Sequence, residues 1–145
     1  MIQIKKITAE ETYEIRLEIL RKNIPLPFEF NGDLDEETLH LGAFKNGKLI
    51  AISSYMKANN PNFKGSQYQL RGMATLDKNQ GLGAGKLMLQ EAISILKAKN
   101  IDCLWCNARI IAIKFYEKQG LQTFGDIFEI EYIGSHYVMY KMLNQ

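Results

Sequence analysis

A mixed α/β fold in a single domain, residues 1–145, is what this sequence predicts, and three observations predict it. Two β-like runs, residues 41–44 and 49–52, are joined by Lys45-Asn46-Gly47-Lys48, and Asn-Gly between apolar runs is the strongest short-range hairpin signal. A third β-like stretch, 67–76, leads through a glycine-rich turn into an amphipathic helix that fades near Asn100. Length and composition, 145 residues with 46% hydrophobic and 23% charged, suit one self-sufficient core without staples.

The remaining elements follow in order. Ile2 and Ile4 alternate with polar neighbours as a short strand, and Thr8-Ala9-Glu10-Glu11 reads as a capping box. The helix it opens carries Tyr13, Ile15, Leu17 and Leu20 and is expected to end near Asn23, because Pro25 and Pro27 disfavour helix before them. Residues 28–35 form an irregular loop mixing aromatics with Glu29, Asp33 and Asp35. In the helix after the glycine turn, Leu82, Leu89, Ala92, Ile93 and Leu96 form the apolar face. A short apolar strand at 101–106 precedes a second helix at 110–119, which Gly120 stops. Two final β-like runs, 122–132 and 136–142, are expected to turn at Gly134. An exposed last strand would offer an edge on which two copies could pair as a homodimer.

Composition excludes several classes of function. The 18 basic and 16 acidic residues are mixed along the chain, so no basic stripe points to nucleic acid. No apolar run approaches the roughly 20 residues that cross a bilayer, and the opening residues lack a signal-peptide pattern, so no membrane partner and a cytoplasmic location are expected. Cys103 and Cys106 make a lone C-x-x-C, remote in sequence from His40 and His136, so no metal site is expected. On a strand, positions three apart face opposite ways, which keeps those thiols from pairing.

Chemistry concentrates at Gln80-Gly81-Leu82-Gly83-Ala84-Gly85-Lys86. Glycines at a helix start expose converging N–H groups to an anion, and the helix dipole favours it. A nucleotide P-loop would need glycine in place of Gln80 and Ser or Thr in place of Leu87. A dinucleotide fingerprint begun at Gly81 would need glycine at Lys86, and the turn follows a hairpin rather than opening a βαβ unit. The pattern that fits is [Gln or Arg]-x-x-Gly-x-[Gly or Ala], met by Gln80, Gly83 and Gly85 after the strand Leu70-Arg71-Gly72-Met73-Ala74-Thr75. A second segment runs from Asn107 through Ala112 and Phe115-Tyr116-Glu117-Lys118-Gln119-Gly120 to Leu121. Together these resemble the GNAT superfamily of N-acetyltransferases. Leu121 stands where the family usually has Phe, and Ala112 follows Asn107 at five residues, a departure from the usual spacing. The distribution of Arg16 and Arg21, the acidic loop and the ending 133–139 are similar to the ElaA-like branch.

The resemblance implies a mixed central sheet of about seven strands flanked by helices and split beside the fourth, with acetyl-coenzyme A as cosubstrate entering the split. It implies that N–H groups at Met73, Ala74 and Thr75, one freed by a bulge near Met73-Ala74, hold the acyl carbonyl and pantetheine. Those from Gln80 to Lys86 would take the pyrophosphate, with Asn107 and Phe115 completing the cofactor site. Tyr116 would act as the acid toward the departing thiolate, and the Met73 N–H as oxyanion donor. The acceptor would be a small-molecule or peptide amine. An alkyl amine of pKa about 10.4 is mostly protonated at neutral pH, so a base is needed. Glu29, Asp33, Glu129, Glu131 and His136 are candidates, His136 being preferred for its titration range. The alternative is a non-catalytic module of the same fold that binds or senses acyl-coenzyme A.

Overall fold

The structure, a computed structural model, describes residues 1–144. Strand β1 (Ile2–Lys6) leads to Thr8, which caps helix α1 (Ala9–Ile15) as the sequence predicts: the Thr8 Oγ1 accepts from the Glu11 N–H at 3.2 Å while the Thr8 N–H donates to Glu11 Oε1 at 2.9 Å. The helix widens into a π-turn over Arg16–Leu20 and ends there, with Arg21 as its C-cap and Asn23 in the turn beyond at φ +59°. Strands β2 (Leu39–Lys45) and β3 (Lys48–Lys57) form the Asn46-Gly47 hairpin, both turn residues having the positive φ its geometry needs.

Strand β4 (Gln67–Thr75), helix α2 (Ala84–Ala98), strand β5 (Cys103–Arg109), helix α3 (Ile113–Lys118), β6 (Gln122–Ile130) and β7 (Gly134–Met142) complete the chain. One seven-stranded sheet runs β1-β2-β3-β4-β5-β7-β6. Every neighbouring pair is antiparallel except β4 and β5. Helix α2 buries Ala84, Met88, Leu89, Ala92 and Leu96, which share a core with Tyr55, Leu70, Leu104, Tyr116 and Met139. Helix α1 covers the opposite sheet face, where Ile15 packs with Ile52 and Ala74. Among the described residues no helix is long and apolar enough to cross a membrane.

The structure corrects four sequence expectations. Leu82 is not on the helix face: Gly81 and Gly83 beside it have φ of +81° and +86°, which is incompatible with helix, and its side chain is exposed. The segment predicted as one helix at 110–119 opens with a 3₁₀ turn over Ile110–Ala112. Gly134 is the first residue of β7, and the turn lies just before it, with Tyr132 at φ +70°. The last strand is not an edge. β7, the more apolar of the final pair, pairs with β5 on one side and β6 on the other, leaving the polar, largely exposed β6 outermost.

Candidate active site

Parallel pairing between β4 and β5 is confined to Gln67 with Cys103, Tyr68 with Leu104 and Gln69 with Trp105. Beyond Gln69 and Trp105 the strands part, so residues 70–75 and 106–109 face an open wedge with backbone groups free for a ligand. The bulge falls at Gly72 and Met73, which together oppose Ser53. It sits one residue earlier than the sequence suggests, because Gly72 supplies the left-handed conformation (φ +66°) that such a bulge takes up. A Cβ at Gly72 would lie 2.8 Å from Cε2 of Phe30, so the ring from the 28–35 loop packs directly on the bulge.

The glycine turn meets the wedge at one end. Gly83 caps α2 without a side-chain hydrogen bond, and the first intrahelical bond at this end is Leu87 N–H to Gly83 O at 3.0 Å. The N–H groups of Ala84, Gly85 and Lys86 therefore converge with no helical acceptor, at the positive end of a 15-residue helix. Nothing lies within 4 Å of the Cβ positions of Gly81 or Gly83, so the turn is open to solvent. Gln80 is exposed and its Nε2 reaches Asp77 Oδ1 at 3.4 Å.

Three predicted segments come together at Gly85. Its Cβ position is 3.3 Å from Phe115 Cζ and 3.4 Å from Met73 Sδ, so the start of α2, the bulge and α3 share one contact. The Phe115 and Tyr116 rings meet edge to face at 5.1 Å. Tyr116 is buried, yet its hydroxyl makes no hydrogen bond among the described residues and is not among the side-chain polar atoms sealed from solvent without a partner. The hydroxyl therefore has donor and acceptor capacity that no described residue uses. Burial, and then the neighbouring Cys106 and Tyr55, push the phenol well above its ordinary pKa. Asn107 is exposed, and its strand partner is Val138.

His136 lies opposite Arg109, on the sheet face away from Tyr116, because Leu104, Cys106 and Ala108 alternate toward the Tyr116 core. Four residues past the last paired position reaches Met73 on β4 and Arg109 on β5, so His136, on β7 beside Arg109, is level with the bulge, with β5 and the wedge between them. Its Nδ1 is 2.7 Å from the carbonyl oxygen of Gly134, which can only accept. The proton of the neutral ring is therefore on Nδ1, and Nε2 carries the lone pair. Glu29, Glu129 and Glu131 are exposed. Asp33 has other work: burial alone would raise its pKa, but hydrogen bonds from Arg16 and from the Phe30 N–H outweigh this and hold it below the ordinary carboxylate value.

Sequence reasoning missed the network around Asp33. Arg16 is fully buried; its Nη1 donates to Asp33 Oδ2 at 2.7 Å and its Nη2 to Asp33 Oδ1 at 3.0 Å. Arg16 Nη2 also donates to Ser54 Oγ at 3.0 Å, and Ser54 is 2.7 Å from His40 Nδ1. His40 Nε2 donates to the Asp33 carbonyl at 2.9 Å, closing a ring of contacts that ties α1, the loop and β3 together. The available signal was spacing: Ala9, Thr12, Ile15 and Arg16 form the buried face of α1 and its π-turn, whereas Leu17 is exposed.

Both cysteines are free and buried. Burial and then the Asp102 charge push Cys103 up to about 11, and burial pushes Cys106 up to about 12. Neither thiol forms a ready nucleophile at neutral pH. A thiol-specific disulfide reagent at pH 8 is expected to react far more slowly with folded protein than with protein in denaturant; equal rates would contradict the burial described. No group of three or more His, Cys, Asp or Glu side chains suited to a metal occurs among the described residues.

Residues 2–121 match the acetyltransferase (GNAT) family. A Bacillus subtilis (strain 168) protein described as an uncharacterized N-acetyltransferase, YitI, is 39% identical over 145 residues, spanning 99% of this chain and 97% of that one. Among solved structures, Escherichia coli ElaA superposes with a TM-score of 0.80 at 15% identity, over 97% of this chain and 99% of that chain. An aminoglycoside 6'-N-acetyltransferase complexed with coenzyme A gives 0.77 at 9% identity, over 99% and 98% of the two chains. At such identities the two structures establish a shared fold.

Proposed function

Because this chain belongs to the acetyltransferase (GNAT) family and has its split-sheet fold, we propose that it transfers the acetyl group of acetyl-coenzyme A directly to an amine. The observation that carries this reading is the meeting of Gly85, Met73 and Phe115 at the mouth of the β4–β5 wedge. A ligand with its pyrophosphate on the uncapped N–H groups of α2 can run its arm into that wedge, where the strand backbones are unpaired.

In the proposed reaction the amine attacks the thioester carbonyl, and the developing oxyanion takes a hydrogen bond from the Met73 N–H at the bulge. Ala74 and Thr75 follow on the same strand toward the glycine turn, and Asn107 borders the wedge from β5. His136 is the base we favour, through Nε2, because that atom carries the lone pair and its residue is level with the bulge. As the C–S bond breaks, the Tyr116 hydroxyl donates a hydrogen bond to the departing sulfur. Full proton transfer from a phenol of raised pKa to a thiolate of ordinary pKa near 8.5 would be uphill, so a strong hydrogen bond is the main contribution. A cytoplasmic setting accords with this reading, being where a free acyl-thioester pool would supply the cosubstrate.

Turnover of acetyl-coenzyme A with a broad amine panel, followed by thiol release, tests the proposal; release with at least one amine, matched by acetylated product, is expected. Binding without turnover of any amine would favour the acyl-coenzyme A sensor instead. In Tyr116→Phe, acetyl-coenzyme A affinity should be kept while kcat falls about 10- to 100-fold. Unchanged kcat on the same acceptor would remove Tyr116 from the chemistry.

A further inference from the structure

Three guanidinium groups surround one buried ring on the α1 face of the sheet. The guanidinium carbons of Arg16, Arg71 and Arg21 lie 3.9, 4.3 and 5.5 Å from the Phe30 centroid. Among the described residues only Arg16 of the three has an acidic partner, Asp33, and both oxygens of that carboxylate are engaged by it. Arg21 donates to two carbonyl oxygens, those of Pro27 and Leu20. Arg71 makes no hydrogen bond or ion pair among the described residues, although it is the residue immediately before the bulge and is only partly exposed. The one side-chain polar atom sealed without a partner among the described residues, Arg16 Nε, also lies here, 3.4 Å from the Cβ position of Gly72.

From this arrangement we infer that the acceptor carries a carboxylate as well as its amine, and that Arg71 binds that carboxylate on the α1 face beside the bulge. The inference rests on the acetyl-transfer reading above and names its substrate class. Arg71 shares its sheet face with Ser54, its strand partner, and with His136, which stands on β7 beyond β5, so a charge-binding group and a proton acceptor lie on one face of the split sheet. The Arg71 guanidinium lies over the Phe30 ring and spends none of its N–H groups on the described residues, so they are left to grip a carboxylate, which a guanidinium can do in two parallel hydrogen bonds. Half-buried cationic charge in excess of its counter-charge is unfavourable until an anion joins it. Burial first, and then the charges of Arg16 and Arg21, lower the Arg71 pKa from its ordinary value, with Asp33 opposing them. The pyrophosphate of the cosubstrate is not that partner in this reading, since the uncapped turn at α2 takes it.

The test compares glycine, β-alanine, 4-aminobutyrate, 6-aminohexanoate, leucine and phenylalanine with their carboxamides as acceptors, in the full-length protein with acetyl-coenzyme A. At least one free acid should exceed its amide in kcat/KM by about 10-fold or more. In Arg71→Gln the acid-to-amide ratio of that pair should fall to about one, and in Arg71→Lys it should recover in part. Calorimetric affinity for acetyl-coenzyme A, read on every variant, shows that the cofactor site is intact. A merely structural Arg71 would lower acid and amide together and leave the ratio unmoved. Amides used as well as acids, or an acid preference that survives Arg71→Gln, would overturn the inference while leaving acetyl transfer standing. Absence of acetyl-coenzyme A binding in the parent protein would instead overturn the acetyl-transfer reading, and the inference with it.

Discussion

Gly83→Glu is expected to weaken acetyl-coenzyme A binding at least ~100-fold while leaving a folded protein. The cause is electrostatic and local. Gly83 is the N-cap of α2 with φ +86° and no side-chain cap, and the N–H groups that follow it are the proposed pyrophosphate cradle. A glutamate there places its own carboxylate over the cradle and repels the phosphates. The fold should tolerate it for two reasons. A Cβ at Gly83 meets nothing within 4 Å, so the conformational cost is the left-handed backbone alone, about 1–2 kcal/mol. A negative charge at a helix N-terminus returns part of that, about 0.3–1 kcal/mol. Gly83→Ala separates the two contributions, since it carries the backbone strain without the charge and should bind more tightly than Gly83→Glu. Equal affinities in glycine and glutamate proteins would show that the pyrophosphate is held elsewhere.

Asp33→Ala should produce the largest loss of stability, about 3–5 kcal/mol in urea unfolding at pH 7. The substitution leaves the fully buried Arg16 guanidinium without its counter-ion and the Phe30 N–H without its acceptor, a 2.8 Å bond in the native loop. Phe30 would then lose its seat against Gly72, so the same change should disturb the bulge. Replacing both partners with apolar residues, Arg16→Met with Asp33→Leu, should cost less than the two single changes added together, because no buried charge is stranded. The pH dependence has a definite sign. Asp33 has a folded pKa below its ordinary value, so its stabilisation is fully present above about pH 4, the unfolded value, and drains away as pH falls through the folded one. The parent protein should therefore lose more stability than Asp33→Ala between pH 5 and the acid limb of about pH 2. An unchanged unfolding midpoint in Asp33→Ala would show that the network is not holding the loop.

Elements with strong local signals were legible in the sequence. Asn46-Gly47 demands a turn whatever surrounds it, and the Thr8 capping box and the α2 periodicity are likewise satisfied within one turn or helix. The glycine turn was legible for the same reason: its backbone requirements are written in residues that only glycine meets comfortably. What sequence could not show depends on contacts far apart in the chain. The placement of β7 between β5 and β6 is a choice of partner across the sheet, which alternation within β7 cannot express. The burial of Arg16 was not legible because its partners, Asp33, Ser54 and the Phe28 carbonyl, come from the loop and from β3. Arg71 was equally silent. Its meaning lies in Phe30 packing over Gly72, a contact between residues 42 positions apart that no local pattern encodes.

Calorimetric titration of the purified protein with acetyl-coenzyme A, and in parallel with ATP and NAD, bears most directly on the proposed cosubstrate. The account predicts a single saturable site for acetyl-coenzyme A, about micromolar in Kd, with no comparable heat from either nucleotide. Binding of ATP or NAD in preference to acetyl-coenzyme A, or no binding of acetyl-coenzyme A at all, would contradict it.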